Sequence, residues 1–133
     1  MKHLCFEGIS ALSEHNWIMD RILVRPSGPL SGDVTIKGAK NSALKLMAAC
    51  TLTEGTFRLN NVPDITDVRL MSELLGSLGM TVERISENTL EIVNPGNLTP
   101  EAPYELVEKM RASIVVLGPL LATYGKAKVA LPG

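Results

Sequence analysis

The order of hydrophobic periodicities along the chain predicts an α/β (α+β) fold, helices packed on a mixed sheet. Two observations carry this. Short stretches with apolar residues two apart alternate with stretches where they recur every three or four positions, and Gly or Pro marks most of the changeovers. The chain also has 133 residues, 45% of them hydrophobic, which suits one domain with a buried core and argues against disorder.

The pattern becomes clear at Met19. Arg21 to Arg25 and Asp33 to Lys37 place Ile22 and Val24, then Val34 and Ile36, at the period of a half-buried strand, with Pro26-Ser27-Gly28 opening the connection, so a hairpin is predicted. Gly38-Ala39 breaks the second strand, and Asn41 is the predicted N-cap of a helix along which Leu44, Met47, Ala48 and Leu52 recur. Lys40 therefore falls at a strand-to-helix junction. Gly55 to Val62 reads as a strand with Phe57 and Leu59 on one face, ended by Pro63, which lacks a backbone donor. Thr66 is the predicted N-cap of a helix with Val68, Met71, Leu74, Leu75 and Leu78 in one stripe, and Gly79 is its stop. Thr81 to Ile85 and Thr89 to Val93 are strands flanking the turn Ser86-Glu87-Asn88. Asn94 to Pro103, with three prolines, is a loop. From Tyr104 the spacing of Leu106, Met110, Ile114 and Leu117 predicts one helix, ended or kinked at Gly118-Pro119. Lys126 to Leu131 alternates as a last strand and runs into Pro132-Gly133, a turn with nothing after it, so the chain reads as a fragment.

Composition excludes several classes of function. Thirteen Lys+Arg against 14 Asp+Glu give a net charge of −1, without the cationic excess that nucleic acid or anionic membrane demands. The longest apolar run, Ile114 to Ala122, is too short for a membrane span, which needs about 20 residues. Cys5 and Cys50 have neither zinc-ligand spacing nor a disulfide framework, so a reducing, cytoplasmic setting and no metal are expected. Residues 1–18 form an extension interrupted by Glu7 and Glu14, unlike a signal peptide, and Met19 is the expected true start. Mass spectrometry of the native N-terminus checks this: a peptide spanning Ile18 and Met19 would reject it.

No histidine lies between Met19 and Gly133, which removes a histidine-dependent triad from that segment, and His3 and His15 lack ligand spacing. No dinucleotide or P-loop glycine fingerprint is present. Lys40 stands out instead. A cation beside a helix N-terminus is locally unfavourable unless an anion arrives, and the free N–H groups there favour phosphate or carboxylate. The plain alternative is a solvated lysine in a turn, as capping is for Asn41. Arg111 sits in an otherwise apolar helix and must meet Glu105, Glu108 or an anionic ligand; the residues alone leave both open. Asp64 and Asp67 read as turn and first-turn residues, and Cys50 as a small core residue.

Four stretches together resemble one family. Gly38-Ala39-Lys40-Asn41-Ser42-Ala43-Leu44, Asn61-Val62-Pro63-Asp64-Ile65-Thr66-Asp67-Val68, Lys109-Met110-Arg111-Ala112-Ser113 with Leu117-Gly118-Pro119-Leu120, and Val129-Ala130-Leu131-Pro132-Gly133 resemble the UDP-N-acetylglucosamine 1-carboxyvinyltransferases, a family of enolpyruvyl transferases. The resemblance covers Met19 to Gly133. The related 5-enolpyruvylshikimate-3-phosphate synthases normally carry Lys-Ser in place of Lys40-Asn41, so they match less well. The resemblance implies transfer of the enolpyruvyl group from phosphoenolpyruvate to the 3-hydroxyl of UDP-N-acetylglucosamine, with release of phosphate, in peptidoglycan synthesis, and without a cofactor. It implies that Lys40 and Asn41 contact phosphoenolpyruvate and that Arg111 lines the UDP-N-acetylglucosamine site. It also implies a partial inside-out α/β barrel built from repeated sheet-and-helix units. Residues 19–39 would then be a strand pair of the C-terminal-side domain, and 40–133 an incomplete first domain. The mobile loop with its catalytic Cys or Asp is expected beyond Gly133, and the remaining part of the enzyme is needed for a complete site. Thr123 departs from the arginine common in the family. The competing expectation is an inactive remnant that binds substrate or a partner.

Overall fold

The structure, a computed structural model, describes residues 28–29 and 31–130, apart from the side chain of Arg111. The predicted strand Arg21 to Arg25, the extension 1–18 and the final Leu131-Pro132-Gly133 lie outside the described residues. The compact unit that carries the elements below runs from Val34 to Gly133.

Helix α1 (Lys40–Ala49) buries Ala43, Leu44, Met47 and Ala48 and passes into a 3₁₀ turn at Cys50–Leu52. Strand β1 (Gly55–Asn60) follows, then α2 (Thr66–Ser77), β2 (Thr81–Ser86) and β3 (Thr89–Asn94). The three strands form an antiparallel sheet in the order β1-β3-β2, so the central strand closes the hairpin and also pairs with β1. The alternation read in the sequence survives. Phe57, Leu59, Val82, Leu90 and Ile92 belong to the core, while Arg58 pairs across the ladder with Glu91 at 2.9 Å on the other face. A register shift between Arg84 and Ser86 leaves Ile85 exposed.

α2 is the most deeply packed element. Val68, Met71, Leu74 and Leu75 have no exposed surface, and Gly79, at φ 104°, turns the chain out of the helix as expected. After it, β4 (Glu101–Ala102) pairs in parallel with β5 (Lys128–Val129), within the stretches predicted as loop and last strand. A short helix α3 (Tyr104–Val107), a 3₁₀ stretch at Arg111–Val116 and α4 (Leu117–Tyr124) complete the unit.

Three local expectations are corrected. The single helix from Tyr104 to Leu117 is broken at Met110, whose φ −144° and ψ 106° are extended. The break lets Val107, Met110 and Val116 all reach the core, which a straight helix through three consecutive β-branched residues, Ile114 to Val116, would resist. Gly118-Pro119 consequently neither ends nor kinks a helix: it lies in the first turn of α4, where a missing N–H costs nothing. The N-caps fall one or two residues early, at Ala39 instead of Asn41 and at Ile65 instead of Thr66, with no side-chain cap at either. Backbone carbonyls serve there: Ala43 N–H donates to Ala39 O at 3.1 Å, and Val68 and Arg69 N–H donate to Ile65 O at 3.1 and 3.2 Å. Asp33 to Lys37 joins no ladder among the described residues, with Val34 and Ile36 87% and 86% exposed, and its predicted partner Arg21 to Arg25 lies outside them.

Two polar knots fasten the elements. Buried Asn94 donates through Nδ2 to Cys50 O at 3.0 Å and Thr53 O at 2.9 Å, and its Oδ1 accepts the Gly96 N–H at 2.9 Å, tying the end of α1 to β3. The neighbouring Cys50 thiol donates to Leu46 O, and burial pushes its pKa up to about 11, which makes it an unreactive core group as read from the sequence. The second knot is in the β1–α2 loop. Arg69 donates twice to Asp64, at 2.9 and 2.7 Å, and Arg84 donates to Val62 O at 3.3 Å and Glu87 O at 2.9 Å.

Asn94→Leu is expected to lower unfolding free energy by about 2 kcal/mol or more, because buried carbonyls lose their only described side-chain donor; urea denaturation checks this. For the loop, Arg69 hydrogen bonds hold the Asp64 carboxyl below its ordinary value of 3.8. A carboxyl whose pKa falls on folding adds stability that is full above the ordinary value and lost as pH drops through the lower folded value. Arg69→Ala should therefore slightly lower Tm at neutral pH and leave it unchanged near pH 2, compared by thermal melts.

Candidate functional site

The N-termini of α1 and α2 are brought together by the packing of the two helices. Lys40 is the first residue of α1 and Asp67 the second of α2, and Lys40 Nζ lies 2.5 Å from Asp67 Oδ2. Their side chains are 52% and 31% exposed, so the pair is open to solvent. Since Ala43 makes the first helical bond, the N–H groups of Lys40, Asn41 and Ser42 have no partner among the described residues. Lys40 and Asn41 are thus adjacent on the surface, on the positive pole of α1, with a carboxylate offsetting the lysine charge.

The chain entering α1 is fixed from below. Gly38 N–H donates to Asn61 Oδ1 at 3.0 Å, and a Cβ on Gly38 would stand 1.8 Å from the Asn61 carbonyl oxygen. Only glycine fits. Asn61 itself has φ 57°, the one positive value outside glycine among the described residues.

Arg111 begins the 3₁₀ stretch Arg111–Val116, which packs against α1; its side chain lies outside the described residues. The backbone therefore brings the Arg111 segment and the Lys40 helix together, while the choice between Glu105, Glu108 and a ligand stays where the sequence left it. Two shallow cavities of about 300 Å³ each lie elsewhere, one lined by Asp64, Arg69, Arg84 and apolar neighbours, the other by the β4–β5 pair. Neither contains Lys40 or Asn41. Among the described residues no group of His, Cys, Asp and Glu is arranged to hold a metal, and no helix is long and apolar enough to cross a membrane.

Sequence reasoning gave Asp67 only a first-turn role and Asn61 none of its own. The ion pair and the clamp connect residues 27 and 23 positions apart, and no local spacing rule reports such pairs. The available signal was that both residues fall in the stretch Asn61 to Val68 on which the family resemblance rests.

Comparisons with known proteins agree with that resemblance. UDP-N-acetylglucosamine 1-carboxyvinyltransferase of Anaeromyxobacter dehalogenans (strain 2CP-C) is 50% identical over 117 residues, which cover 86% of this chain and 28% of that protein. The protein of the same name from Cellvibrio japonicus (strain Ueda107) is 51% identical over 116 residues, 86% of this chain and 27% of that one. The chain thus spans under a third of the length of these relatives. Among solved structures, the enolpyruvyl transferase NikO from Streptomyces tendae superposes with a TM-score of 0.64 at 26% identity, over 74% of this chain and 23% of that chain. Residues 24–133 match the family described as EPSP synthase (3-phosphoshikimate 1-carboxyvinyltransferase), so a mixed α/β chain with Lys40 at the head of α1 belongs to that family.

Proposed function

We propose that this chain supplies one wall of the active site of an enolpyruvyl transferase that joins phosphoenolpyruvate to UDP-N-acetylglucosamine. The observation that carries this reading is the exposed Lys40 on the positive end of α1, paired with Asp67 and beside N–H donors that have no partner among the described residues. The names of relatives at about 50% identity support the choice of acceptor. In the reaction the acceptor 3-hydroxyl oxygen bonds to C2 of phosphoenolpyruvate, the hydroxyl proton is released, and the bond from C2 to the phosphate oxygen breaks, so inorganic phosphate leaves. Lys40 and the α1 N–H groups would neutralise charge on the phosphoenolpyruvate, which grows on the phosphate as it departs. Asn41 would orient the same substrate, and Arg111 would face the nucleotide sugar.

On this reading residues 40–133 begin the first domain, an inside-out barrel of repeated sheet-and-helix units. Residues 19–39 are a strand pair of the C-terminal-side domain, which accords with Val34 and Ile36 exposing their apolar side chains. A loop bearing Cys or Asp and the opposing domain wall complete the site, no cofactor takes part, and the setting is cytoplasmic peptidoglycan synthesis.

A hybrid tests this. Residues 19–133 replace the matching segment of the Anaeromyxobacter dehalogenans relative, and the product is assayed for phosphate release from the two substrates. The hybrid is expected to turn over, and Lys40→Ala is expected to lower kcat/KM for phosphoenolpyruvate about 100-fold or more, the scale of losing one preorganised charge contact, with an unchanged circular dichroism spectrum. Near-normal activity of that variant rejects the role given to Lys40. An inactive hybrid that still folds favours the inactive remnant. The 133-residue chain alone is expected to release no phosphate.

A further inference from the structure

Lys40 carries its charge at the end of four rotatable bonds, so the ammonium is placed only as well as the backbone beneath it. Among the described residues that backbone has few other supports. Asp33 to Lys37 joins no ladder among the described residues, and Val34 and Ile36 bury almost nothing. The Lys37–Glu87 pair at 3.2 Å is highly exposed on both sides and contributes little. The first firmly anchored residue before α1 is Gly38, and its anchor is the Asn61 side chain.

Asn61 is unusual on three counts. It is exposed, so packing does not explain its side chain. Its backbone is left-handed, a conformation that costs most residues free energy and that Asn tolerates better than other side chains. Its own carbonyl stands where a Gly38 Cβ would be, so the two residues fit only as a glycine against a left-handed turn. The turn is rigid on its far side as well. Val62 N–H donates to Asn88 O at 2.8 Å, and Arg84 holds Val62 O, so Asn61 stands on the β2–β3 hairpin. Strain of this kind persists only where the surroundings enforce it.

We propose that Asn61 is a positioning residue for Lys40: its amide oxygen clamps the Gly38 N–H, fixes the start of α1 and so places the lysine ammonium for its anionic ligand. This rests on the reading of Lys40 as the phosphoenolpyruvate contact. The clamp explains why α1 begins at Lys40 without any side-chain cap, since the entering strand is held by a partner 23 residues away in place of a local one. A residue serving only the turn would need φ near 57° and nothing from its amide. Glycine meets that need without cost, so Asn61→Gly separates the two roles. Asn61→Asp keeps an acceptor oxygen and the tolerance for a left-handed backbone, and is the conservative rescue.

The test uses the hybrid enzyme described above, which holds this chain in a complete site, labelled for NMR and titrated with phosphoenolpyruvate. Two readouts are taken: the nuclear Overhauser contact between the Lys40 ε-methylene and the Asp67 β-methylene, and the dissociation constant. The unsubstituted hybrid and Asn61→Asp are expected to show the contact. Asn61→Gly is expected to lose it and to bind about tenfold more weakly, the scale of one hydrogen bond, with amide shifts of α2 and the sheet unchanged. In a Lys40→Ala background Asn61→Gly should have no further effect, because a residue acting through Lys40 has nothing left to act on. The proposal is overturned if Asn61→Gly keeps both contact and affinity, if its loss adds in full to that of Lys40→Ala, or if Asn61→Asp behaves like glycine. If Lys40→Ala leaves affinity intact while Asn61→Gly still loses the contact, the clamp stands and the anion reading of Lys40 fails.

Discussion

The buried stripe of α2 is the constraint from which the rest of the unit follows. Val68, Met71, Leu74 and Leu75 have no exposed surface, and α1, β2 and α3 all pack against this helix. Burying four such side chains stabilises by several kcal/mol, on the order of 1.5–3 kcal/mol each, more than any surface ion pair in the chain can contribute. Because α1 lies along α2, the two helix starts are neighbours, and the Gly38–Asn61 hydrogen bond sets where α1 begins on that packing. Lys40 and Asp67 meet where that packing and the clamped start of α1 bring them together.

That origin explains which parts could be read from the residues. The stripe of α2 and the alternation of β1, β2 and β3 are local patterns, and the structure keeps them because one face of each element is buried. The stretch after Tyr104 shows where locality ends. Leu106, Met110, Ile114 and Leu117 have helical spacing, yet the core takes Val107, Met110, Val116 and Leu120, and reaching all four requires the chain to turn at Met110. The missed N-caps have the same cause. Asn41 and Thr66 are good capping residues, but Gly38 is pinned to Asn61, and the carbonyl of Ile65 already accepts two N–H groups, so each helix starts earlier than propensity alone would place it.

The site divides in the same way. The place of Lys40 at the start of a helix was legible because Gly38-Ala39 breaks the preceding strand pattern just before it. Asp67 and Asn61 were not, because their importance lies in what they touch across 27 and 23 residues of sequence. The hairpin turn at Glu87-Asn88 adds to this, since it receives the Val62 N–H and the Arg84 guanidinium and so steadies the loop that carries Asn61.

On the proposed reading of Lys40 as a phosphoenolpyruvate contact, the cation faces two opposed demands. Burial would fix it but penalise its charge, and full exposure would keep the charge but leave the side chain free to sample many rotamers. The arrangement at Lys40 meets both by fixing the root and leaving the tip in water. Its backbone is held by the clamp and by helix packing, while its ammonium faces one carboxylate at a half-exposed position. An ion pair of that exposure contributes about 0–1 kcal/mol, so a phosphate bearing more charge, and able to use the free α1 N–H groups as well, can share the lysine with Asp67 at little cost. Asp67 also occupies the positive end of α2, so it has a favourable place to remain when the lysine turns toward a ligand. The pair is therefore suited to exchange, and the strength that the site needs resides in the backbone under it.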